Sequence, residues 1–578
     1  MLWLKNLLQL PFLLPLEDTG IDHSSIRDLN WGDINFLHTT DTHGWLSGHF
    51  NQKQYDANWG DFISFTSQMK SKAHSQGQDL IVVDTGDRHD GNGLSDATVP
   101  NGNKSLPIFA KQDYDILTIG NHELYEWENS KTEYEFIASH YGENYVCTNV
   151  EILDNDEWKT IGNKYRYFET PINGFRILSF GFLFNFNRNN QNTKVTAIEE
   201  VLKTDWFKDI MDKFPEKDLD YVVIIGHIPI THQWKELQVL HKFLRSYYPN
   251  IVIQYFGGHS HIRDFVVYDD NSTSLESGRF CETVGWLSID NKIEGVRKFS
   301  RKYIDFNMNS FKYHSKKFGD FQTKQGNEVK QMIEKARQDL NLNEYIGHVG
   351  NNYYMDYVPI DDKHSIFKLL SEKILPSLEY PKDSNEERMF IINTGSVRYD
   401  LYKGNYTVDT KYIISPFKND WVKISLPKSL AIKVSAYLNK GGYLNLLPAH
   451  QWAQVMNPEK FITTSGHHPG FTTASKNQPY PIKRLTKGYV THDDFGTDGD
   501  DTLHYPTINF PIPNVVDSKQ FKHLEESTVD LVFYNFLKWN VIEALIDLDN
   551  KDYSQAVEFY SDVYLSEMIT NYIKEFGV

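Results

Sequence analysis

The sequence has little cysteine, few long apolar runs and no excess of positive charge. Its 578 residues include two cysteines, Cys147 and Cys281, which excludes a disulfide framework and a cysteine-based zinc cluster. Both lie in apolar runs, so we expect buried thiols, with one disulfide as the alternative. A net charge of −18 argues against nucleic acid or an anionic membrane as the main partner. An acidic chain can still bind an anion where metal ions or local arginines reverse the field.

The N-terminus carries an apolar run at residues 7–16. Its length suits the core of a signal peptide and falls short of the roughly 20 residues that a membrane span needs. Residues 1–20 therefore predict a signal peptide, with a docked apolar arm as the alternative. No transmembrane segment is predicted. A signal peptide implies the secretory pathway, with an extracellular or vacuolar destination.

Short apolar runs alternate with polar stretches through the first half of the chain. Six of them are nearly continuous in Val, Ile, Leu and Phe, which predicts strands in a sheet covered by helices on both faces. These runs are 34–40, 79–87, 114–123, 175–182, 220–230 and 250–261. A charged stretch within 301–345 predicts a linker helix. A second domain is expected over 346–578, with a helical tail at 529–548.

Five of the apolar runs end in residues that bind divalent metals. Ligand sites form beyond the C-terminal ends of strands in such a sheet, so these side chains should converge. Two Asp, one Asn and four His, without Cys, favour zinc, with manganese or iron as alternatives. Seven ligands suit two ions that share a bridging carboxylate. The candidates are Asp41, His43, Asp87, Asn121, His227, His259 and His261.

The order of these motifs resembles that of the calcineurin-like metallophosphoesterases, whose signature is D-x-H, G-D, G-N-H-[DE], G-H and G-H-x-H. The matching segments are DTH (41–43), GDRH (86–89), GNHE (120–123), GH (226–227) and GHSH (258–261). Segments 393–420 and 492–502 resemble the second domain of the 5′-nucleotidase branch. The resemblance implies an α/β (α+β) fold, with a four-layer αββα dimetal catalytic domain at 31–300. A 5′-nucleotidase-type α/β C-terminal domain would bind the substrate.

Roles for the individual residues are implied by the same resemblance. One ion would be held by Asp41, His43, Asp87 and His261, and the other by Asp87, Asn121, His227 and His259. Asp87 would bridge the ions, a hydroxide held between them would attack phosphorus, and His122 would stabilise the developing charge. Phe417 and Phe495 resemble a pair of rings that sandwiches a nucleobase, with core packing as the alternative. The residues that resemble base or ribose ligands are Asn393, Arg398 and Asp501.

Three segments depart from the family pattern. The acid that orients the histidine of G-N-H-E is replaced by Tyr125, so His122 needs another carboxylate partner, such as Asp90. Segment 361–370 lacks an expected arginine, and the family's Gly-Gly-Asp-Gly loop reads DGDD at 498–501.

The sequence therefore predicts a metal-dependent phosphomonoesterase acting on a small-molecule phosphoester, a nucleoside 5′-monophosphate. A nucleotide-sugar or cyclic-nucleotide phosphodiesterase with the same metal site is the first alternative. A non-catalytic metal- or nucleotide-binding protein is the second.

Overall fold

The computed structural model of this chain describes residues 26–440 and 493–578, except residues 380, 382–384, 386, 497, 505–509, 523, 524 and 526. The predicted signal peptide at residues 1–20 lies outside the described residues. None of the described helices combines the length and apolar character needed to span a bilayer. Cys147 and Cys281 are both buried free thiols, as predicted.

Two large sheets face each other in the first half of the chain. Their strands, with those of a small third sheet, are β1 (Ile34–Thr39), β2 (Asp79–Asp84), β3 (Ile116–Leu117), β4 (Val150–Asp154), β5 (Glu157–Thr160), β6 (Arg166–Glu169), β7 (Arg176–Leu183), β8 (Thr193–Val195), β9 (Tyr221–His227), β10 (Val252–Gly257), β11 (Arg263–Asp269), β12 (Ser272–Ser277), β13 (Thr283–Ile289) and β14 (Phe299–Asp305). The strand orders are β14-β13-β1-β2-β3, β11-β12-β10-β9-β7-β6 and β5-β4-β8. Apolar side chains from both large sheets, among them Phe36, Val83 and Phe256, form the core between them.

Helices cover the outer faces of both large sheets. The longer ones are Trp59–Ser75, Asp205–Lys213, Lys235–Tyr247, Met308–Ser315 and Lys324–Asp339. The first begins at a capping box, in which Asn58 accepts from the backbone N–H of Asp61 and the Asp61 side chain accepts from that of Asn58. On the second sheet, Phe207 packs against Phe180 of β7. The predicted four-layer αββα arrangement is confirmed.

The six predicted strands are confirmed as β1, β2, β3, β7, β9 and β10. In the first sheet β1, β2 and β3 are parallel, and in the second β7, β9 and β10 are parallel. Every residue of β1, β2, β9 and β10 is buried. Both faces of each sheet are covered, which explains the continuous apolar runs.

The strands of the second domain are β15 (Tyr345–Val349), β16 (Arg388–Asn393), β17 (Gly404–Thr407), β18 (Trp421–Pro427), β19 (Val515–Gln520), β20 (Thr528–Tyr534) and β21 (Glu558–Ser561). They form a five-stranded sheet of order β19-β16-β20-β18-β21 and a two-stranded pair, β15-β17. The longer helices are Val408–Ile414, Lys428–Leu438, Lys538–Asp549 and Leu565–Phe576. Its core is a separate apolar cluster that includes Phe390, Trp421 and Leu531.

Two predicted segments differ from the structure in detail. The helical tail predicted at 529–548 is wrong in its first part, because β20 occupies Thr528–Tyr534 and pairs with both β16 and β18. Its Val, Phe and Tyr residues suit a buried strand, and the helix begins at Lys538. Segment 301–345 starts inside β14, which belongs to the first sheet. Its helix, Lys324–Asp339, packs so closely along Trp59–Ser75 that a Cβ on Gly60 would lie 2.3 Å from the Gly326 carbonyl oxygen.

Candidate active site

The ends of five strands bring the predicted metal ligands to one edge of the two sheets. One donor atom from each of Asp41, His43, Asp87 and His261 lies within 4.8 Å of the others. A second group with the same spacing consists of Asp87, His227 and His259. The Asp87 carboxylate is common to both groups, as required of a ligand that bridges two cations.

Four buried donor atoms at this centre have no hydrogen-bond partner in the part of the chain that the structure describes. They are Asp41 Oδ1, Asp87 Oδ2, Asn121 Oδ1 and His227 Nε2. Asp87 Oδ2 and His227 Nε2 are 3.0 Å apart, and Asp41 Oδ1 lies 3.1 Å from His261 Nε2. Because buried polar atoms are almost always paired, this cluster of oxygen and nitrogen donors fits divalent cations.

The protonation of the imidazoles supports the same assignment. Burial lowers the pKa of His43 to about 3 and that of His261 to about 4, so both rings are neutral near pH 7. Burial also disfavours charge on His227, but the carboxylates of Asp87 and Asp41 outweigh it and raise the pKa of His227 to about 10. A histidine must be neutral to bind a metal. A cation at these carboxylates therefore competes with the His227 proton.

Five of the ligands have a left-handed backbone. Their φ angles are 50° at Asp41, 44° at His43, 61° at Asp87, 79° at His259 and 63° at His261. Such conformations cost a non-glycine residue about 1–3 kcal/mol and concentrate at functional sites. Close approach of the loops holds them: a Cβ on Gly120 would lie 2.1 Å from Asp87 Oδ1, and one on Gly258 would lie 2.3 Å from Thr40 Oγ1. The motif glycines are therefore required sterically.

His122 has a carboxylate partner despite the replacement at Tyr125. Its Nδ1 lies 2.6 Å from Asp90 Oδ2, and its backbone N–H donates to Asp87 Oδ1 at 2.8 Å. His122 Nε2 is 3.8 Å from Asp87 Oδ2 and so faces the metal ligands. Burial raises the pKa of Asp90, but the hydrogen bond and charge of His122, together with the charges of His89 and Arg398, outweigh it and lower the pKa. Asp90 is thus a carboxylate partner of His122, as the replacement at Tyr125 required.

Comparisons with known proteins agree with this geometry. Residues 34–263 match the family model of calcineurin-like phosphoesterases, and residues 352–542 match that of the NAD nucleotidase C-terminal domain. The crystal structure of the 5′-nucleotidase from Candida albicans is 52% identical, with a TM-score of 0.85, over 95% of this chain and 99% of that one. The chain belongs to the 5′-nucleotidase family of calcineurin-like metallophosphoesterases. It is a hydrolase that acts on phosphoester bonds.

Two further relatives of this phosphoesterase are fungal proteins of similar length. An uncharacterized protein of Saccharomyces cerevisiae is 44% identical over 93% of this chain and 90% of its own length. A protein of Arthroderma benhamiae described as secreted is 37% identical over 95% of this chain and 90% of its own length. The relationship therefore spans both domains.

Glu123, the last residue of the GNHE motif, joins two ligand loops of the phosphoesterase. Its Oε2 accepts from the backbone N–H groups of Asp87 at 3.0 Å and Gly120 at 2.8 Å. Its Oε1 accepts from the Arg88 N–H at 2.6 Å. Glu123 therefore holds the left-handed turn at Asp87 in place. The GNHE motif contains Glu123, but its spacing in the sequence does not indicate this role.

Tyr125 orients a predicted metal ligand. The Asn121 Nδ2 donates to the Tyr125 hydroxyl at 3.1 Å, which leaves the buried Asn121 Oδ1 as the atom that could bind a metal. Mutation of a group that orients a metal ligand typically lowers metal affinity by about 10–100-fold.

Tyr125→Phe should therefore weaken metal binding by about 10-fold, measured by competition with a chelator, while the protein stays folded. Tyr248→Phe is a matched control, because it also removes one buried hydroxyl, which donates to the Phe214 carbonyl at 3.0 Å. An unchanged chelator titration for Tyr125→Phe would show that the hydroxyl does not position Asn121.

Arg398 is the second-domain residue that reaches the metal ligands. Its Nη2 lies 3.2 Å from both ring nitrogens of His43, and its Nε donates to the Asp90 carbonyl at 3.2 Å. The guanidinium is buried. Arg398 therefore lies directly beside a predicted metal ligand.

Phe417 and Asn393 remain candidates for the substrate side of the site. The ring of Phe417 is half-buried, 6.5 Å from the His122 ring, and 5.5 Å from Arg398 Cζ. Phe417 can therefore contact a group bound next to His122. Asn393 ends β16, and its Oδ1 accepts from Ser396 Oγ at 2.7 Å.

Phe495 and Asp501, two further predicted substrate residues, contact residues of the first domain. Phe495 packs on Phe265 at 4.7 Å, and none of the described ring contacts joins it to Phe417. The Asp501 carboxylate is buried, lies 2.9 Å from His314 Nε2 and accepts from the Asp305 N–H at 3.1 Å. Their segment runs along the edge of the first sheet, where the Tyr303 N–H donates to the Gly499 carbonyl and the Asp501 N–H donates to the Tyr303 carbonyl, both at 2.9 Å.

Proposed function

We propose that this protein is a dimetal phosphomonoesterase that hydrolyses nucleoside 5′-monophosphates to a nucleoside and phosphate. The observation that carries the proposal is the pair of donor groups sharing Asp87. Asp41, His43, Asp87 and His261 would hold one cation, and Asp87, Asn121, His227 and His259 the other. Bound there, two divalent ions supply Lewis-acid activation of water and of the phosphoryl group. Zinc is the metal that the donor set favours.

The protein's own groups complete the site. The Nδ1–H of His122 donates a hydrogen bond to Asp90, so Nε2 can carry a proton to the leaving oxygen or stabilise charge on it. Arg398 binds phosphoryl oxygens, and Phe417 stacks on the base. The similarity to the Candida albicans 5′-nucleotidase supports a nucleotide as the substrate.

The test is metal analysis of the purified protein followed by a phosphate-release assay. AMP, UDP-glucose, 2′,3′-cyclic AMP and bis(p-nitrophenyl) phosphate form the substrate panel. We expect about two ions per chain and the highest kcat/KM for AMP. Preference for any of the three diesters over AMP would reject the monoesterase.

A nucleotide-sugar or cyclic-nucleotide phosphodiesterase is the second candidate. The match of residues 352–542 to the C-terminal domain of NAD nucleotidases favours a nucleotide-sugar substrate, because NAD and nucleotide sugars both contain a pyrophosphate linkage. The same panel separates the two candidates.

We also propose that residues 1–20 direct the protein into the secretory pathway. The secreted relative from Arthroderma benhamiae supports this. N-terminal sequencing of the mature protein should find these residues removed, and an intact N-terminus on the exported protein would contradict it.

A further inference from the structure

Arg279 is a buried cation that forms no ion pair with the described residues. It lies between β12 and β13, its side chain is 1% exposed, and none of its three guanidinium nitrogens has a hydrogen-bond partner in the described part of the chain. Other arginines of this domain that are equally buried are paired. Arg88 contacts Asp84 and Glu133 at 2.9 Å. Burying an unpaired charge is strongly unfavourable, so stability of the fold does not explain why an arginine is buried at position 279.

The loop that carries Arg279 is attached directly to the metal ligands. The N–H of Phe280 donates to the carbonyl of Asp41 at 2.7 Å, and the Phe280 carbonyl lies 2.6 Å from His49 Nε2. Phe280 and Cys281 have φ angles of 54° and 53°. Two successive left-handed residues persist only where surrounding contacts hold them, as at binding sites.

Arg279 and Arg398, the second arginine of the site, both lie close to the Phe280 ring. The ring centroid lies 5.3 Å from that of His43 and 5.6 Å from that of His261. Arg279 Cζ is 4.5 Å from this ring and Arg398 Cζ is 5.8 Å from it. Two guanidinium groups, one from each domain, therefore share one aromatic ring at the edge of the metal centre.

None of the described ion pairs includes Arg279 or Arg398. Arg398 contacts the Asp90 carbonyl and the neutral His43 ring. Glu276 and Glu282 are the acids closest to Arg279 in sequence. Glu276 Oε1 accepts from the Ser260 hydroxyl at 2.6 Å, and Glu282 Oε1 accepts from the Tyr399 hydroxyl at 2.9 Å. An anion brought by a ligand would supply the hydrogen-bond partners that the Arg279 guanidinium lacks in the described part of the chain.

We propose that Arg279 and Arg398 together bind the non-bridging oxygens of the substrate phosphoryl group and select dianionic monoesters over monoanionic diesters. This rests on the proposed function. A monoester dianion carries one more negative charge than a diester, so it gains more from two nearby guanidinium groups. Guanidinium also matches the geometry of phosphate oxygens. Arg279 thereby supplies, from the first domain, a cation in place of the arginine absent from segment 361–370.

The kinetic test compares Arg279→Met with the wild type, both as full-length, metal-loaded protein. We expect kcat/KM for AMP to fall by about 30-fold or more, as when one partner of a buried charged contact is removed. For bis(p-nitrophenyl) phosphate the expected fall is less than about threefold. Arg297→Met removes an exposed arginine of the same domain and should change neither value. Equal losses on both esters would overturn the proposal.

Thermal unfolding separates binding from a structural role. Without ligand, Arg279→Met should keep or raise Tm, because it removes an unpaired buried charge. Inorganic phosphate should raise Tm of the wild type more than that of the variant. A lower Tm for the variant, with an unchanged phosphate effect, would show that Arg279 supports the fold instead. The Tm comparison tests Arg279 even if the wild type hydrolyses neither ester. Absence of hydrolysis would reject the proposed function, whereas the Tm comparison would still show whether Arg279 binds phosphate.

Discussion

Asp87→Asn should reduce phosphate release by at least about 1000-fold. The substitution removes the negative charge shared by both donor groups, and metal activation of this kind is worth several kcal/mol, with each 1.4 kcal/mol a factor of ten. Asn keeps the size of the side chain and can still accept from the His122 N–H, which lies 2.8 Å from Oδ1. We therefore expect a folded protein. Phosphate release and metal content per chain are the two measurements.

Asp270→Asn provides the matched control for this variant. Asp270 is exposed in the turn between β11 and β12, so the same change of charge should leave activity and metal content unaltered. Circular dichroism and Tm confirm that both variants are folded. An Asp87→Asn protein with wild-type activity and a full complement of ions would refute the shared carboxylate.

Asp90→Asn should lower kcat by about 100-fold or more, within the range of general acid–base contributions. The carboxylate lies 2.6 Å from His122 Nδ1 and stabilises the protonated ring, which a neutral amide cannot do. Asp90 is absent from both groups of metal donors, so metal content should not change. Steady-state kinetics with metal analysis of the same samples is the measurement.

A double-mutant cycle tests whether Asp90 affects kcat through His122. If Asp90 acts through His122, then Asp90→Asn combined with His122→Asn should be hardly slower than His122→Asn alone. Multiplicative losses would mean that the Asp90 side chain acts independently, for instance through its Oδ1, which accepts from Asn101 Nδ2 at 3.2 Å. If Asp90→Asn retained the full kcat, the pair of Asp90 and His122 would have no role in the mechanism.

The strand positions and the metal ligands were predictable from the sequence because both obey local rules. A strand buried on both faces must be apolar along its length, as β9 and β10 are. Residues that follow parallel strands gather at one edge of a sheet, so the strand-end motifs identified Asp41, Asp87 and His227 from their order alone.

The contacts of the predicted substrate residues could not be read from the sequence, because a motif does not state which domain its segment packs on. Phe495 and Asp501 lie in a segment that resembles a substrate loop, and this segment extends the edge of the first sheet. Arg398, predicted to bind the base or ribose, contacts His43. Contacts between residues about 350 positions apart leave no periodicity in either segment.

The chain alone determined where β-strands form and which oxygen and nitrogen donors follow them, because burial and backbone conformation act over a few residues. Tertiary structure decided which groups surround those donors. It supplies Asp90 as the partner of His122 and the Tyr125 hydroxyl as the acceptor for Asn121. It also places the Arg279 guanidinium near the site without a hydrogen-bond partner among the described residues. Each depends on the path of a loop held in a strained conformation by distant groups. Such a path is set by the packing of the whole domain rather than by neighbouring residues.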